Sequence, residues 1–313
     1  MAMRVSVIIP LFNQSAVVAE AAQSALAQTL PPLEVIVADD GSTDGGATAA
    51  GLDPRVRVVS QPRRGPAAAR NLAARQATGD WLAFLDADDL WLPEKLERQS
   101  AAASANPDAV LIHADGYIVG ARGAPLPSST FFADRVPPAG RQAASALLRS
   151  PLLTPAVMIR RDAFEAAGGF DERLRMHEDM ELYFRLAAGG AEFAYVPEPL
   201  VVVRMIERRR DLREYLSASV ELQEHLRRAF PAYAPELVRR ISSTWRALAA
   251  LALSRGDDAG ARAAYRRSLS RRGPNRADLA ALLLLRLGRR DRLLEMNRLL
   301  LEKLGASAGA PGD

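Results

Sequence analysis

The 313-residue chain has no cysteine, which excludes disulfides, thiolate zinc sites, iron–sulfur clusters and cysteine nucleophiles. Lysine is almost missing too: Lys95 and Lys303 are the only two among 41 basic residues, so nearly every cation is an arginine. No segment approaches the roughly 18 consecutive apolar residues of a membrane span. The apolar run in the opening MAMRVSVIIP is too short for a secretory signal. No aromatic stacking series accompanies the arginines, which speaks against nucleic acid as a partner. What is present, 49% hydrophobic and 25% charged residues, suits one or two globular domains. The net charge of +4 is unevenly placed: 19 basic face 24 acidic residues up to Met205, and 22 face 13 after it, or −5 and +9. An acidic region able to hold a cation and a basic region able to face anions follow from that split.

The first part alternates β-branched runs with amphipathic stretches, the pattern of a mainly parallel sheet covered by helices. Strands are expected at 5–9, 34–38, 55–59 and 81–85, with helices at 15–28 and 66–78. Further strands are expected at 110–119, 156–159, 193–196 and 200–204, with helices at 141–148 and 178–188. The Gly-, Pro- and Ser-rich stretch 120–140 reads as a loop beside a site. After residue 206 the strand signal stops; four or five helices follow, two of them paired across a Gly-Asp turn like a single tetratricopeptide-type hairpin. The expected division is 1–205, 206–305 and a disordered tail at 306–313.

In an open parallel sheet, ligands bind outside the carboxyl ends of the strands. The first strand leaves through Pro10, Leu11, Phe12 and Asn13; the second through Asp39 and Asp40; the fourth through Asp86, Ala87, Asp88 and Asp89. Three carboxylates in four residues repel one another, and a divalent cation completed by phosphate and water is the simplest agent to neutralise them. Capping of the helix after Pro93 would explain one of the three. Asp39 and Asp40 place a second acidic pair on the same rim, able to accept from a base N–H or ribose hydroxyls.

Four ordered segments, VSVIIPLFNQ, EVIVADDGSTD, GPAAARNLAARQATGDWLAFLDADD and GGFDERLRMHEDMELYFRLAAGG, closely resemble the inverting family 2 glycosyltransferases, over about residues 4–204. The resemblance implies a GT-A type α/β fold, here followed by an all-α C-terminal region. It implies that Pro10, Leu11, Phe12 and Asn13 line a nucleotide pocket, that Asp40 partners the base and Asp39 shapes the same turn. Arg70 is expected near base or phosphate. Asp86-Ala87-Asp88 corresponds to the family's DxD motif, with Asp88 the leading Mn²⁺ or Mg²⁺ ligand, Asp86 a ribose or metal contact and Asp89 in support. Glu178-Asp179 corresponds to its Glu-Asp pair, with Asp179 the general base, and Gly168 and Gly169 permit the turn before it.

A departure stands at Ile206, where relatives often carry a histidine. His113, His177 and His225 do not replace it and read as packing or surface residues, His177 adjoining Glu178. Processive-synthase motifs and membrane helices are absent, which favours single transfer. The expected activity is transfer of one sugar from a nucleoside-diphosphate sugar, a UDP-sugar foremost, to a hydroxyl acceptor in polysaccharide, glycolipid or glycoconjugate synthesis. The alternative is a non-catalytic nucleotide-sugar-binding protein with a helical docking module. The expected location is cytoplasmic, with peripheral contact to anionic membrane through arginines such as Arg208, Arg209, Arg210, Arg239 and Arg240.

Overall fold

The structure is a computed structural model and describes residues 3–120, 126–140, 142–204, 211–272 and 276–303. The chain divides into two compact units, Met1–Arg208 and Arg209–Asp313. In the first, the elements are β1 (Val5–Leu11), α1 (Val18–Leu26), β2 (Glu34–Asp39), α2 (Gly46–Ala50), β3 (Val56–Ser60), α3 (Pro66–Gln76), β4 (Trp81–Phe84) and β5 (Leu90–Trp91). They continue with α4 (Lys95–Ala105), β6 (Ala109–Val119), α5 (Ala143–Leu147), β7 (Val157–Arg160), α6 (Arg161–Ala166), α7 (Glu178–Ala188) and β8 (Glu192–Arg204). The strands form one mixed sheet in the order β3-β2-β1-β4-β7-β6-β8-β5.

The β-branched runs of β1 and β2 are buried almost throughout, as central parallel strands covered on both faces require. β1 pairs in parallel with β2 on one side and β4 on the other, so chain order reverses at β1 and a crevice opens at its carboxyl end. Pro10 sits where that crevice begins. The β1–β4 ladder ends at Ile8↔Phe84, and Leu85 N donates to Ile8 O. The missing N–H of Pro10 therefore points past the end of β4 and costs no sheet bond.

One expectation changes. The stretches 193–196 and 200–204 form one strand, β8, which runs through Pro197 and Pro199 because register shifts against β6 at Ala114, Asp115 and Gly116 absorb the extra residues. The two-residue β5 lies antiparallel to it, too short to leave a period in the sequence. α7 covers 178–188 as expected.

The second unit holds α8 (Leu212–Ala229), α9 (Ala234–Ser254), α10 (Asp258–Arg272), α11 (Arg276–Arg286) and α12 (Arg290–Lys303). The expected hairpin is α9 and α10, joined at Gly256, whose φ of 80° suits a helix C-terminus. Leu216, Ile241, Leu253, Tyr265, Leu285 and Leu293 share its core. Buried Asp278 accepts from Arg246 Nε at 2.7 Å and from Ser268 Oγ at 2.6 Å, which ties α11 to α9 and α10. No helix among the described residues is long and apolar enough to cross a membrane. Ile206, Arg208 to Arg210 and the tail at 306–313 lie outside the described residues.

His113 in β6 is a packing residue, as expected: fully buried, it stands between Phe132 and Tyr195, with Nε2 at 2.6 Å from Pro138 O. A carbonyl can only accept, so Nε2 carries the proton. Burial pushes this imidazole down to about 4, against the opposing pull of the Pro138 carbonyl. The unfolded chain binds a proton below about 6.5 and the fold does not. The stability this residue contributes is complete above that value and is lost as pH falls towards 4, in total on the order of 3 kcal/mol. His113→Gln keeps an N–H donor and removes the titration. Denaturant unfolding from pH 7 to pH 4 should show wild type losing stability more steeply than H113Q; parallel slopes would refute the assignment.

Candidate active site

Three strand exits and the start of α7 build an acidic rim. At the first, Asn13 adopts a φ of 50°, a left-handed conformation that Asn tolerates better than most residues. Its N–H donates to Ser42 Oγ at 3.1 Å, and Thr43 N donates to its Oδ1 at 2.9 Å. Asp44 accepts from Ser15 N at 2.8 Å and Gly46 N at 2.9 Å. The Ser15 amide foremost holds its exposed carboxyl below the usual range. The exits of β1 and β2 are thus clipped together. Phe12 receives the Arg63 guanidinium on its ring at 3.9 Å, a contact that sequence reading did not anticipate.

Asp39 and Asp40 are both buried on this rim. Asp39 Oδ1 accepts from Ser42 N at 3.0 Å and shapes its own turn. Asp40 holds the 61–65 loop: Oδ1 accepts from Arg64 N and Gln61 Nε2, each at 2.8 Å, and Oδ2 from Gly65 N at 2.7 Å. A carboxylate oxygen can accept two hydrogen bonds, so this anchoring is compatible with a further donor from a ligand.

Arg70, expected near base or phosphate, has its terminal nitrogens engaged by two carboxylates: Nη2 donates to Asp86 Oδ1 and Nη1 to Glu178 Oε1, each at 2.6 Å. It can reach both because α3 is alanine-rich. Ala67, Ala68, Ala69, Ala73 and Ala74 are buried and let the helix lie close over the sheet. Burial alone would lower the guanidinium's proton affinity, but Asp86 and Glu178 outweigh it and hold its pKa above normal. Burial likewise raises Glu178, opposed by Arg70 and reinforced by Asp179.

Asp86 and Asp88 are half-buried at the end of β4, with Ala87 packed between them. Asp89 is buried and accepts from Arg204 N at 2.8 Å. Burial first, then the charges of Asp86 and Asp88, push its carboxyl well above the usual range. Arg204 also donates through Nε to Asp88 O and through Nη1 to Glu20 at 2.8 Å, which fixes the acidic loop from behind. Among the described residues no three His, Cys, Asp or Glu side chains cluster as a complete metal site. Asp86 and Asp88 supply hard oxygens of the kind Mg²⁺ or Mn²⁺ takes when phosphate and water complete its shell.

Gly168 and Gly169, with φ of 83° and 71°, make the turn before α7. A Cβ on Gly169 would lie 2.7 Å from Asn71 Oδ1. Asn71 clamps this turn, accepting from Phe170 N at 3.0 Å and donating to Phe170 O at 2.9 Å. Arg185 binds it from the other side through the carbonyls of Ala167 and Gly169. His177 enters α7 in the left-handed region, with a φ of 63°, and Asp179 follows in the first turn. Its Oδ1 accepts from Met180 N and its Oδ2 from Thr154 Oγ1, each at 2.7 Å. Tyr183 OH lies 3.4 Å from Thr154 Oγ1. No sequence signal marks Thr154, which meets Asp179 across 25 residues.

A separate cavity of about 360 Å³, lined by Ser129, Thr130, Phe131, Asp134 and Arg135 among others, lies against Ile118 of β6. None of the acidic-motif residues lines it.

An uncharacterised glycosyltransferase of Rickettsia felis is 34% identical over 190 residues, 59% of this chain and 30% of that protein. One of Haemophilus influenzae is 30% identical over 200 residues, 62% of this chain and 66% of that protein. The chain thus spans less than two thirds of these relatives. Among solved structures, residues 1–349 of S. aureus TarS superpose with a TM-score of 0.67 at 18% identity, over 95% of this chain and 92% of that one. The mannosyltransferase PcManGT of Pyrobaculum calidifontis does so with a TM-score of 0.60 at 22% identity, over 98% and 85%. These two show a shared fold, the GT-A type. Residues 6–168 match the family described as glycosyl transferase family 2, and the chain belongs to that family.

Proposed function

We propose that the chain is an inverting glycosyltransferase that moves one sugar from a nucleoside-diphosphate sugar, a UDP-sugar foremost, to a hydroxyl acceptor in polysaccharide, glycolipid or glycoconjugate synthesis. The observation that carries this reading is the Arg70 bridge, which joins the Asp86 and Glu178 motifs in one place. Inversion by direct displacement needs both at once: a donor held at the strand ends, and a carboxylate on the opposite face of the sugar. Asp179 takes the proton of the acceptor hydroxyl while that oxygen forms a bond to the anomeric carbon. The bond from that carbon to the diphosphate breaks, and the nucleoside diphosphate leaves with the electron pair.

Pro10, Leu11, Phe12, Asn13, Asp39 and Asp40 wall the nucleotide pocket in this reading. TarS has been solved with UDP-GlcNAc and PcManGT with GDP-Man and Mn²⁺, which supports a nucleoside-diphosphate sugar as the ligand class. Asp86 and Asp88 would hold Mn²⁺ or Mg²⁺, with Asp89 in support. Asp89 is raised by burial first and then by the charges of Asp86 and Asp88, and a cation there would offset the second of these. When bound, such a cation offsets the charge of the departing diphosphate. The two parts proposed are the catalytic region 1–205 and the helical region 206–305.

Incubation with Mn²⁺ or Mg²⁺ and a panel of nucleotide sugars should release nucleoside diphosphate, and Asp179→Asn should slow it by roughly 100-fold or more. Donor binding without release from any donor would instead establish a non-catalytic binding protein. Asp88→Asn should weaken nucleoside-diphosphate binding about tenfold with Mn²⁺ present and little in EDTA; equal binding to wild type in Mn²⁺ would refute the metal assignment.

Peripheral contact of the basic helical unit with anionic lipid is a further part of this reading. Leu279, Leu283, Leu287, Met296 and Leu299 are all at least half exposed on or beside α11 and α12. Arg239, Arg286, Arg289 and Arg292 are exposed in the same unit. Co-sedimentation with phosphatidylglycerol vesicles should be strong at low ionic strength and fall as salt is added. Absence of binding at low salt would remove this contact.

A further inference from the structure

We propose that Thr154 positions the general base: its hydroxyl, backed by the phenol of Tyr183, holds the Asp179 carboxylate in line to receive the acceptor's proton. This inference rests on the reading of Asp179 as that base.

The direction of the chain of hydrogen bonds follows from counting protons. A threonine hydroxyl has one proton to give. At 2.7 Å from an acceptor-only carboxylate, Thr154 spends it on Asp179 Oδ2. Tyr183 can then approach Thr154 Oγ1 only as a donor, and it does so at 3.4 Å. Tyr183 is completely buried. Burial, then the nearby Asp179 charge, keeps its phenol well above the ordinary range, so it stays protonated and able to donate. Donation runs from Tyr183 to Thr154 to Asp179, and each bond polarises the next. The second carboxylate oxygen accepts from Met180 N at 2.7 Å. Asp179 is therefore held at both oxygens, one by its own helix and one by a different segment.

That segment is itself pinned. Thr154 opens a 3-10 turn, Thr154–Ala156, whose next residue is Pro155. Pro155 O accepts from Trp91 Nε1 at 2.8 Å, and Ala156 O from Gln99 Nε2 at 2.7 Å. Gln99 Oε1 accepts from Lys95 Nζ at 2.6 Å, and the same ammonium lies 4.0 Å from the centre of the Trp91 ring. Trp91, Lys95 and Gln99 directly follow the Asp86–Asp89 loop in the chain. The stretch that carries the acidic motif thus also fixes the turn that carries Thr154, and through it the distance between donor and base. Displacement of a reacting group by about 1 Å can cost a hundredfold in rate, so such a hold has catalytic consequence.

The experiment compares nucleoside diphosphate release, with water as acceptor, for wild type, Thr154→Val, Thr154→Ser, Tyr183→Phe and Asp179→Asn. Thr154→Val keeps the shape and removes the proton. It should lower kcat roughly 10- to 100-fold while leaving nucleoside-diphosphate affinity unchanged. Thr154→Ser should restore kcat to within about threefold of wild type, and Tyr183→Phe should lower it by a smaller factor than T154V. T154V combined with D179N should be no slower than D179N alone, because the hydroxyl acts through that carboxylate. Unchanged kcat in T154V, failure of serine to rescue, or additive losses in the double variant would overturn the proposal. Should T154V fail to fold, Tyr183→Phe and the serine variant decide it by the same criteria. Loss in D179N with full activity in T154V defeats this inference alone. Full activity in D179N, or no release by wild type from any donor, defeats the reading beneath it as well.

Discussion

A buried guanidinium between two carboxylates governs the first unit. Stripping Arg70 of water is costly, and its ion pairs to Asp86 and Glu178 at 2.6 Å offset that cost only while both partners stay in place. Removing one partner of a buried pair typically destabilises by about 3–5 kcal/mol, because the other charge is left stranded. α3, the end of β4 and the start of α7 are therefore locked to a single arrangement. The geometry of the rim follows from satisfying Arg70 as much as from any requirement of a ligand. The alanines of α3 and the glycines at 168 and 169 are the sequence's means of bringing the three segments within reach of one side chain.

The same lock leaves an excess of negative charge. Asp86, Glu178 and Asp179 act on Arg70, while Asp89, buried beside Asp86 and Asp88, responds by holding its proton more tightly. Arg204 supports this loop by a guanidinium bond to a carbonyl and a backbone bond to Asp89, so its charge is directed to Glu20 as well as to the acids. Rigid support with incomplete neutralisation is the condition in which a further cation gains most from arriving.

Much of this was legible in the sequence, and the limits of legibility have physical causes. Parallel strands buried on both faces leave β-branched runs, so β1 and β2 could be read directly. Aspartates at their exits could be read because carboxylates have no business at the end of a hydrophobic strand without a partner. α7 and its turn were marked by Gly168, Gly169 and an acidic first turn. The carboxylate partners of Arg70 were not legible, because a guanidinium suits phosphate and carboxylate alike and Glu178 lies 108 residues away in the chain. Thr154 left no trace because a threonine before a proline is ordinary loop sequence. β8 was divided in two because Pro197 and Pro199 look like breaks, whereas a bulged partner strand accommodates them.

The scarcity of lysine acquires a structural sense at these same positions. Arg70 spans two carboxylates, Arg185 grips Glu181 and two carbonyls of the glycine turn, and Arg204 joins Asp88 to Glu20. Each joins chain segments that local structure would not bring together, and each needs donors in a planar fork; an ammonium on a flexible stem gives neither the spacing nor the rigidity. Lys95 stands where a fork is not wanted. Fully buried, with its pKa driven well below normal by burial, it offers one short hydrogen bond to Gln99 and its face to Trp91. There a compact donor fills a gap between a ring and an amide that a guanidinium would overfill. The arginines thus tie the acidic rim together from within, and buried Lys95 steadies the turn behind it.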